Sequence, residues 1–192
     1  MNILRRDAEI LVAVSGHRVL PNKAGVMHGI REALNRILQC WDADRLCVLT
    51  SLADGADRLA VRAASEAGPS RYIAVLPMDA DEYCRDFSGE SSKEFSTLLG
   101  NADSVEVLQS RHSREEAYFQ AGAVLLEACD VLLAVWDGEE ARGRGGTGDI
   151  VQLARQQERP VAWVFAPRSD QFNDETGRIR FERFPDTRNC QE

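Results

Sequence analysis

The sequence predicts an α/β fold, a three-layer sandwich in which a mostly parallel sheet of about six strands carries helices on both faces. Apolar runs alternate with amphipathic stretches along most of the 192 residues. Val131–Trp136 is a continuous apolar run, as expected for a strand that is buried on both faces. Val26–Trp41 instead has its apolar residues at helical spacing. Alternation of this kind is typical of parallel strands joined by helical crossovers, which gives the layered sandwich.

The individual elements follow from the same two patterns. Strands are predicted where a short apolar run is bounded by turn residues, at Ile10–Val14, Leu46–Thr50, Tyr72–Leu76, Val105–Leu108, Val131–Trp136 and Val161–Phe165. Helices are predicted at Val26–Trp41, Asp54–Ala67, Asp79–Phe87, Ser91–Leu99, Arg114–Cys129 and in the residues after Gly146. The helix Arg114–Cys129 carries small residues at Ala117, Ala121 and Gly122, which allow close helix packing either within the chain or in a homodimer.

The domain prediction divides the chain near residue 166. Residues 1–166 carry the strand–helix alternation and are predicted to form one domain with a single core. Residues 167–192 are predicted to be a polar C-terminal extension, either partly disordered or forming an edge strand. Within it only Arg178–Phe184 alternates weakly between apolar and polar residues, and its charge favours the edge of a sheet over the centre.

Composition narrows the classes of partner. The formal net charge is −8 and there is no run of lysine or arginine, which disfavours nucleic acid and favours a small ligand. No apolar stretch approaches the roughly 20 residues of a membrane helix, and MNILRRDAEI lacks the apolar core of a secretory leader. The five cysteines are scattered, with no CxxC pair and no histidine at ligand spacing. We therefore expect a cytoplasmic protein with no membrane segment and no metal site.

A glycine-rich loop joins the strand Val131–Trp136 to the helix that follows it. The loop, Asp137–Gly146, is longer than the two to six residues that are usual for such a connection, and long loops in compact domains tend to be functional. Gly145 and Gly146 lie at its end and Thr147 follows them. Glycines there let backbone N–H groups approach an anion, and a helix N-terminus adds partial positive charge. The sequence therefore predicts a phosphate site over Gly145, Gly146 and Thr147.

Three other loops are expected beside it, because the carboxyl ends of parallel strands share one edge of the sheet. The candidate binding residues in these loops and at the start of the glycine-rich loop are Ser15, Gly16, His17, Arg18, Asp54, Gly55, Asp57, Pro77 and Asp137. Arg18 is either a surface charge or a phosphate partner. Asp54 is interpreted first as a helix N-cap, whereas Asp57 is a candidate to hydrogen-bond a ribose hydroxyl. Thr147 is either an N-cap or a phosphate ligand.

Two common nucleotide motifs are absent. The chain has no GxxxxGK[ST] sequence, which disfavours a Walker-type triphosphate site, and no GxGxxG after its first strand, which gives no support for the usual dinucleotide site.

The motifs that are present resemble those of the SLOG superfamily of Rossmann-like proteins. This superfamily includes the DNA-processing Smf proteins and the "lonely guy" phosphoribohydrolases. The resemblance covers roughly residues 10–165 and rests on VAVSGHR at Val12–Arg18, GADRLA at Gly55–Ala60 and GRGGTGDIV at Gly143–Val151. The stretch Leu76–Leu99 resembles a stand-alone SLOG subgroup of unknown activity. The resemblance implies a Rossmann-like sheet, a phosphate bound over the glycine-rich loop, and a homodimer.

One departure from the family pattern bears on catalysis. In the lonely-guy hydrolases the glycine-rich motif ends in a catalytic glutamate, and the matching position in this chain is Gln152 or Ile150, depending on the alignment. Neither is a carboxylate. Asp149 is close by and is the candidate substitute, although an acidic residue in a first helical turn is also favoured by the helix dipole.

Three functions remain open on the sequence alone. The first is a sensor or carrier that binds a nucleotide or nucleotide derivative and requires no further cofactor. The second is an N-glycoside hydrolase acting on nucleoside 5′-monophosphates, whose carboxylate would be Asp149, Asp137 or Asp57. The third is an interaction module without a ligand, in which the glycine-rich loop is only a turn.

Overall fold

The computed structural model describes residues 8–109, 113–141, 143–168 and 175–185. The strands are β1 Glu9–Gly16, β2 Arg45–Thr50, β3 Ser70–Leu76, β4 Ser104–Val107, β5 Val131–Trp136, β6 Val161–Phe165 and β7 Ile179–Glu182. The helices are α1 Lys23–Trp41, α2 Ala56–Ala67, α3 Ala80–Cys84, α4 Glu90–Gly100, α5 Arg114–Ala128 and α6 Thr147–Gln156.

The strands form one sheet in the order β4-β3-β2-β1-β5-β6-β7. All neighbours are parallel except β6 and β7, which are antiparallel. Val12 in β1 lies opposite Val48 of β2 on one side and Val131 of β5 on the other. The direction of strand order therefore reverses at β1, which places a crevice at the carboxyl ends of β1 and β5.

Two apolar cores separate the sheet from its helices. One contains Ile10 and Val12 of β1 together with buried residues of α1 and α2. The other contains Ala13 of β1 with residues of α5 and α6, including Leu125 and Ile150. Alternate residues of β1 thus enter opposite cores, and every residue of β5 is buried, as expected for a strand covered on both faces. The predicted three-layer α/β fold is confirmed.

The starts of two helices differ from the sequence-based interpretation. Asp54 does not cap α2, because the N-cap is Gly55, at a φ of 78°, with no side-chain capping bond. Thr147 is the first residue of α6 instead of its N-cap, which is Gly146. In both cases a glycine makes the turn into the helix. The predicted helix Asp79–Phe87 is shorter in the structure and ends at Cys84.

The segment predicted as a C-terminal extension contributes to the sheet. Ile179 pairs with Val164 of β6 in antiparallel register, so that β7 is an edge strand. Arg155 of α6 donates two hydrogen bonds to the carboxylate of Glu182, which links this edge to the body of the fold. Residues 169–174 and 186–192, which also belong to the predicted extension, lie outside the described residues.

Candidate functional site

A cleft of about 500 Å³ opens at the carboxyl ends of β1 and β5. Its walls come from the loops that follow β1, β2, β3 and β5, from α5, and from Arg168 after β6. A volume of this size lies within the range of small-molecule sites, and the location is the one where open α/β sheets bind ligands. We treat this cleft as the candidate functional site.

Nine of the residues predicted from the sequence line this cleft: Ser15, Gly16, His17, Arg18, Asp57, Pro77, Gly145, Gly146 and Thr147. Asp54, Gly55, Asp137 and Asp149 are not among the lining residues. The loops that the sequence placed at one edge of the sheet are therefore together in space.

Close backbone packing explains the glycines at the start of the cleft. A Cβ on Gly16 would lie 2.4 Å from Cβ of Ala56 and 2.7 Å from the carbonyl oxygen of Val135. A Cβ on Gly55 would lie 2.3 Å from the carbonyl oxygen of His17, and the N–H of Ala56 donates to that same oxygen at 3.1 Å. The VAVSGHR and GADRLA segments thus fit against each other, so both glycines have a packing role.

Asp57 is a buried carboxylate in the wall of the cleft, with 4% of its surface exposed. Its Oδ2 accepts hydrogen bonds from the hydroxyl of Thr50 at 2.8 Å and from the backbone N–H of Ser51 at 3.1 Å. Burial raises the pKa of Asp57 to about 6, although these hydrogen bonds act to lower it. Asp57 is the one carboxylate among the described residues that line the cleft.

A second cluster joins the ends of β1, β5 and β6. Nε2 of His17 accepts from the backbone N–H of Asp137 at 3.2 Å, and Nε of Arg168 lies 2.5 Å from Oδ2 of Asp137. Burial acts to raise the pKa of Asp137, but the N–H of Glu139 and the charge of Arg168 hold it below its ordinary value. His17 and Arg168 line the cleft. Asp137 contacts both of them and is not among the lining residues.

The glycine-rich loop uses most of its predicted anion donors internally. Gly145, at a φ of 84°, donates its N–H to Oδ2 of Asp149 at 2.9 Å. Gly146 donates its N–H to the carbonyl of Gly143 at 3.2 Å. The N–H of Thr147 donates to no described residue, which is expected in the first turn of a helix. Of the three backbone donors predicted to hold a phosphate, only Thr147 remains available, and the carboxylate of Asp149 organises the loop.

Among the described residues, each arginine that lines the cleft has a carboxylate partner. Nη1 of Arg18 lies 3.4 Å from Oδ2 of Asp86, Arg168 pairs with Asp137, and Arg144 pairs with Glu116. The contact of Arg18 is the longest of the three, and its side chain is 42% exposed. Arg18 is therefore the arginine whose side chain can turn toward an anion with the smallest loss of ion-pair energy.

Asp86 contacts several side chains near Arg18. It accepts a hydrogen bond from the hydroxyl of Tyr118 at 2.5 Å and pairs with Arg114. Burial acts to raise the pKa of Asp86, but the hydrogen bonds from Tyr118 and Arg114 lower it below its ordinary value. The guanidinium of Arg18 also lies over the ring of Tyr118, 5.0 Å from its centroid. This network connects the loop after β1 to α5.

The small residues of α5 pack within the chain. Ala117 and Ala121 are buried, and a Cβ on Gly122 would lie 2.5 Å from Cδ1 of Ile150 in α6. This stripe therefore does not offer a free helix face to a second copy. A homodimer stays a prediction, and no surface is assigned to it.

Comparisons with known proteins bear on the fold. No model of a protein family matches the chain, and no curated protein matches it. The X-ray structure of DNA processing protein A (DprA) from Streptococcus pneumoniae is similar, with a TM-score of 0.55 and 18% sequence identity. The match covers 86% of this chain and 54% of the DprA chain, so this chain spans about half the length of that protein.

The two chains share a Rossmann-like fold. The cleft accordingly lies where a Rossmann-like sheet places its binding crevice. Within the described ranges, no helix is long and apolar enough to cross a membrane. Those ranges also contain no group of three or more histidine, cysteine, aspartate or glutamate side chains that could hold a metal ion.

Sequence reasoning missed several residues of this Rossmann-like site. Arg168 follows the last parallel strand and was counted as part of a polar extension. Tyr83 lies on α3 and Tyr118 on α5, at positions whose helical spacing is that of core residues. A tyrosine at such a position is read from the sequence as part of the core. No signal in a single sequence distinguishes them, because their position in the cleft depends on how α3 and α5 pack.

Proposed function

We propose that this chain is a stand-alone SLOG protein that binds a nucleotide or nucleotide derivative in the cleft, as a sensor or carrier. One observation carries the proposal: a cleft of about 500 Å³ at the point where strand order reverses is lined by all three segments that resemble SLOG sequences. The structural likeness to DprA supports the same superfamily, since the DNA-processing proteins are among those that the motifs resemble.

The charges around the cleft favour a ligand with a single phosphate group. Arg18, Arg144 and Arg168 are each paired with a carboxylate, so a polyphosphate would meet little uncompensated positive charge. The N–H of Thr147, at the start of α6, together with its hydroxyl, provides donors for one phosphoryl group. Arg18 is the added cation, because its contact with Asp86 is long.

DprA is, by its name, a protein that processes DNA. For this chain we propose no nucleic-acid partner, because the formal net charge is −8 and the arginines of the cleft are already paired. A protein that binds DNA gains most of its affinity from lysine and arginine that neutralise phosphates.

Nucleoside monophosphates are expected to stabilise the protein against thermal unfolding. A ligand that binds only the folded state at 100 times its Kd adds about 2.7 kcal/mol, enough to raise the unfolding temperature by several degrees. Arg18→Gln is expected to weaken binding about tenfold or more, because a charge-assisted contact to phosphate is lost. Differential scanning fluorimetry with adenosine, guanosine, cytidine and uridine 5′-monophosphates is the measurement.

Arg62→Gln is the matched control, because Arg62 is an exposed arginine on α2 whose partner is Glu94 and which does not line the cleft. It should retain the full ligand response. Triphosphates and a single-stranded oligonucleotide are run in parallel. The proposal would be contradicted if the oligonucleotide stabilised the protein. It would also be contradicted if no monophosphate did.

The hydrolase alternative makes a different prediction about carboxylates. Asp149 accepts from the N–H of Gly145, so its side chain already has a structural partner. Among the described residues that line the cleft, Asp57 is the one with a carboxylate. We expect that the protein releases no free base from the four monophosphates over multiple turnovers. Chromatography of the reaction mixtures is the measurement. Release that is lost in Asp57→Asn and kept in Asp149→Asn would instead identify a hydrolase that uses Asp57.

A further inference from the structure

Tyr83 is held rigidly at the edge of the cleft by other aromatic rings. It lies on α3, 1% exposed, and lines the cleft. Its ring meets those of Phe87 and Phe95 edge-on, with centroids 5.1 Å and 5.6 Å away. This packing fixes the direction in which its hydroxyl points.

The hydroxyl of Tyr83 has no hydrogen-bond partner among residues 8–109, 113–141, 143–168 and 175–185. The hydroxyls of the other two tyrosines are both bonded: Tyr72 donates to the carbonyl of Leu98, and Tyr118 donates to Asp86. The ring of Tyr83 is buried, but its hydroxyl is not among the buried atoms of the described residues that lack a partner. The hydroxyl therefore opens into the cleft, where it is available to a ligand.

Asp57 supplies an acceptor that lines the same cleft. Both side chains line the cleft, and Oδ2 of Asp57 is fixed by Thr50 and Ser51. Burial raises the pKa of Tyr83, and the negative charge of Asp57 raises it further. Tyr83 thus keeps its proton and acts as a donor, beside a carboxylate that acts as an acceptor.

We propose that Tyr83 and Asp57 form a subsite that recognises a ribose hydroxyl and selects ribonucleotide ligands over their deoxy forms. A hydroxyl can accept from Tyr83 and donate to Asp57 at once. A carbonyl can only accept, and an amino group on a base can only donate, so neither satisfies both side chains. This inference rests on the proposed function and assigns Tyr83 as a specificity-determining residue.

A deoxy ligand would lose the hydrogen bonds to Tyr83 and Asp57, and sites built to bond a hydroxyl reject analogues that lack it. Binding is measured by isothermal titration calorimetry with the four ribonucleoside 5′-monophosphates and the 2′-deoxy and 3′-deoxy form of each. The wild-type protein should bind a ribonucleotide at least about tenfold tighter than one of its deoxy forms. Tyr83→Phe should reduce that difference by weakening the ribonucleotide alone, since Asp57 can still accept from the ribose hydroxyl.

Tyr72→Phe is the control for loss of a tyrosine hydroxyl, because Tyr72 bonds Leu98 outside the cleft. It should keep the wild-type preference. Equal binding of ribose and deoxyribose forms by the wild-type protein would overturn this inference and leave the proposed function standing, as would an undiminished preference in Tyr83→Phe. Absence of binding to all monophosphates would overturn the proposed function and this inference with it.

Discussion

Replacing Gly55 by alanine is expected to lower the free energy of unfolding by about 4 kcal/mol. Gly55 has a φ of 78° and a ψ of −114°, a conformation that residues with a Cβ rarely adopt and that costs them about 1–3 kcal/mol. The new Cβ would also lie 2.3 Å from the carbonyl oxygen of His17 and 2.4 Å from that of Arg18. Both atoms belong to the backbone, so relief requires movement of the loop after β1, and overpacking of this kind adds about 1–3 kcal/mol.

Gly89→Ala is the matched control for this prediction. Gly89 also has a positive φ, of 55°, but a Cβ there would meet nothing within 4 Å. Its ψ of −124° is close to that of Gly55, so its expected loss is about 2 kcal/mol, from the backbone conformation alone. Urea unfolding followed by circular dichroism compares the two variants. Equal losses would mean that the contact between the loop after β1 and the start of α2 contributes nothing to stability.

Removal of the Asp57 carboxyl is expected to change how stability depends on pH. Burial raises the pKa of Asp57 from 3.8 to about 6 in the folded state. The folded protein therefore binds this proton more tightly than the unfolded chain does. The resulting stabilisation is complete below about pH 4 and is lost as pH rises through about 6, and it amounts to about 3 kcal/mol at about 1.4 kcal/mol per pKa unit.

Asp57→Asn keeps the shape of the side chain and cannot ionise. The free energy of unfolding of the wild-type protein minus that of the variant should therefore fall by about 2 kcal/mol or slightly more between pH 4 and pH 7. Taking this difference removes the titration of groups that the two proteins share. Urea unfolding at four pH values across this interval gives the measurement. A difference that stays constant with pH would show that Asp57 titrates normally despite its burial.

The parts of the fold that depend on local periodicity could be predicted from the sequence. β5 was predicted with its observed bounds, because a strand buried on both faces is a continuous apolar run. α5 was predicted to begin at Arg114, where Ser113 accepts from the N–H of Glu116 in a capping arrangement. These signals depend only on neighbours along the chain, so one sequence contains them.

The details of the site could not be predicted in the same way. The sequence located the glycine-rich loop, but Asp149 takes the N–H of Gly145 only because the loop bends back on itself. Asp54 was interpreted as a helix cap, whereas in the structure it pairs with Arg58, which is buried and also bonded to Glu94 of α4. The role of each of these side chains depends on the partner that it meets in the folded chain. The periodicity of the sequence carries no information about that partner.

The pairing of Arg18, Arg144 and Arg168 with carboxylates has a kinetic consequence. Clefts lined by charge of one sign attract oppositely charged molecules over long distances, and salt slows that association. Around this cleft, positive Arg18, Arg144 and Arg168 alternate with negative Asp86, Glu116 and Asp137, so their fields largely cancel beyond a few ångströms. These arginines therefore give an anion no long-range attraction, and because the formal net charge of the chain is −8, added salt screens a net repulsion and does not slow the arrival of the anion.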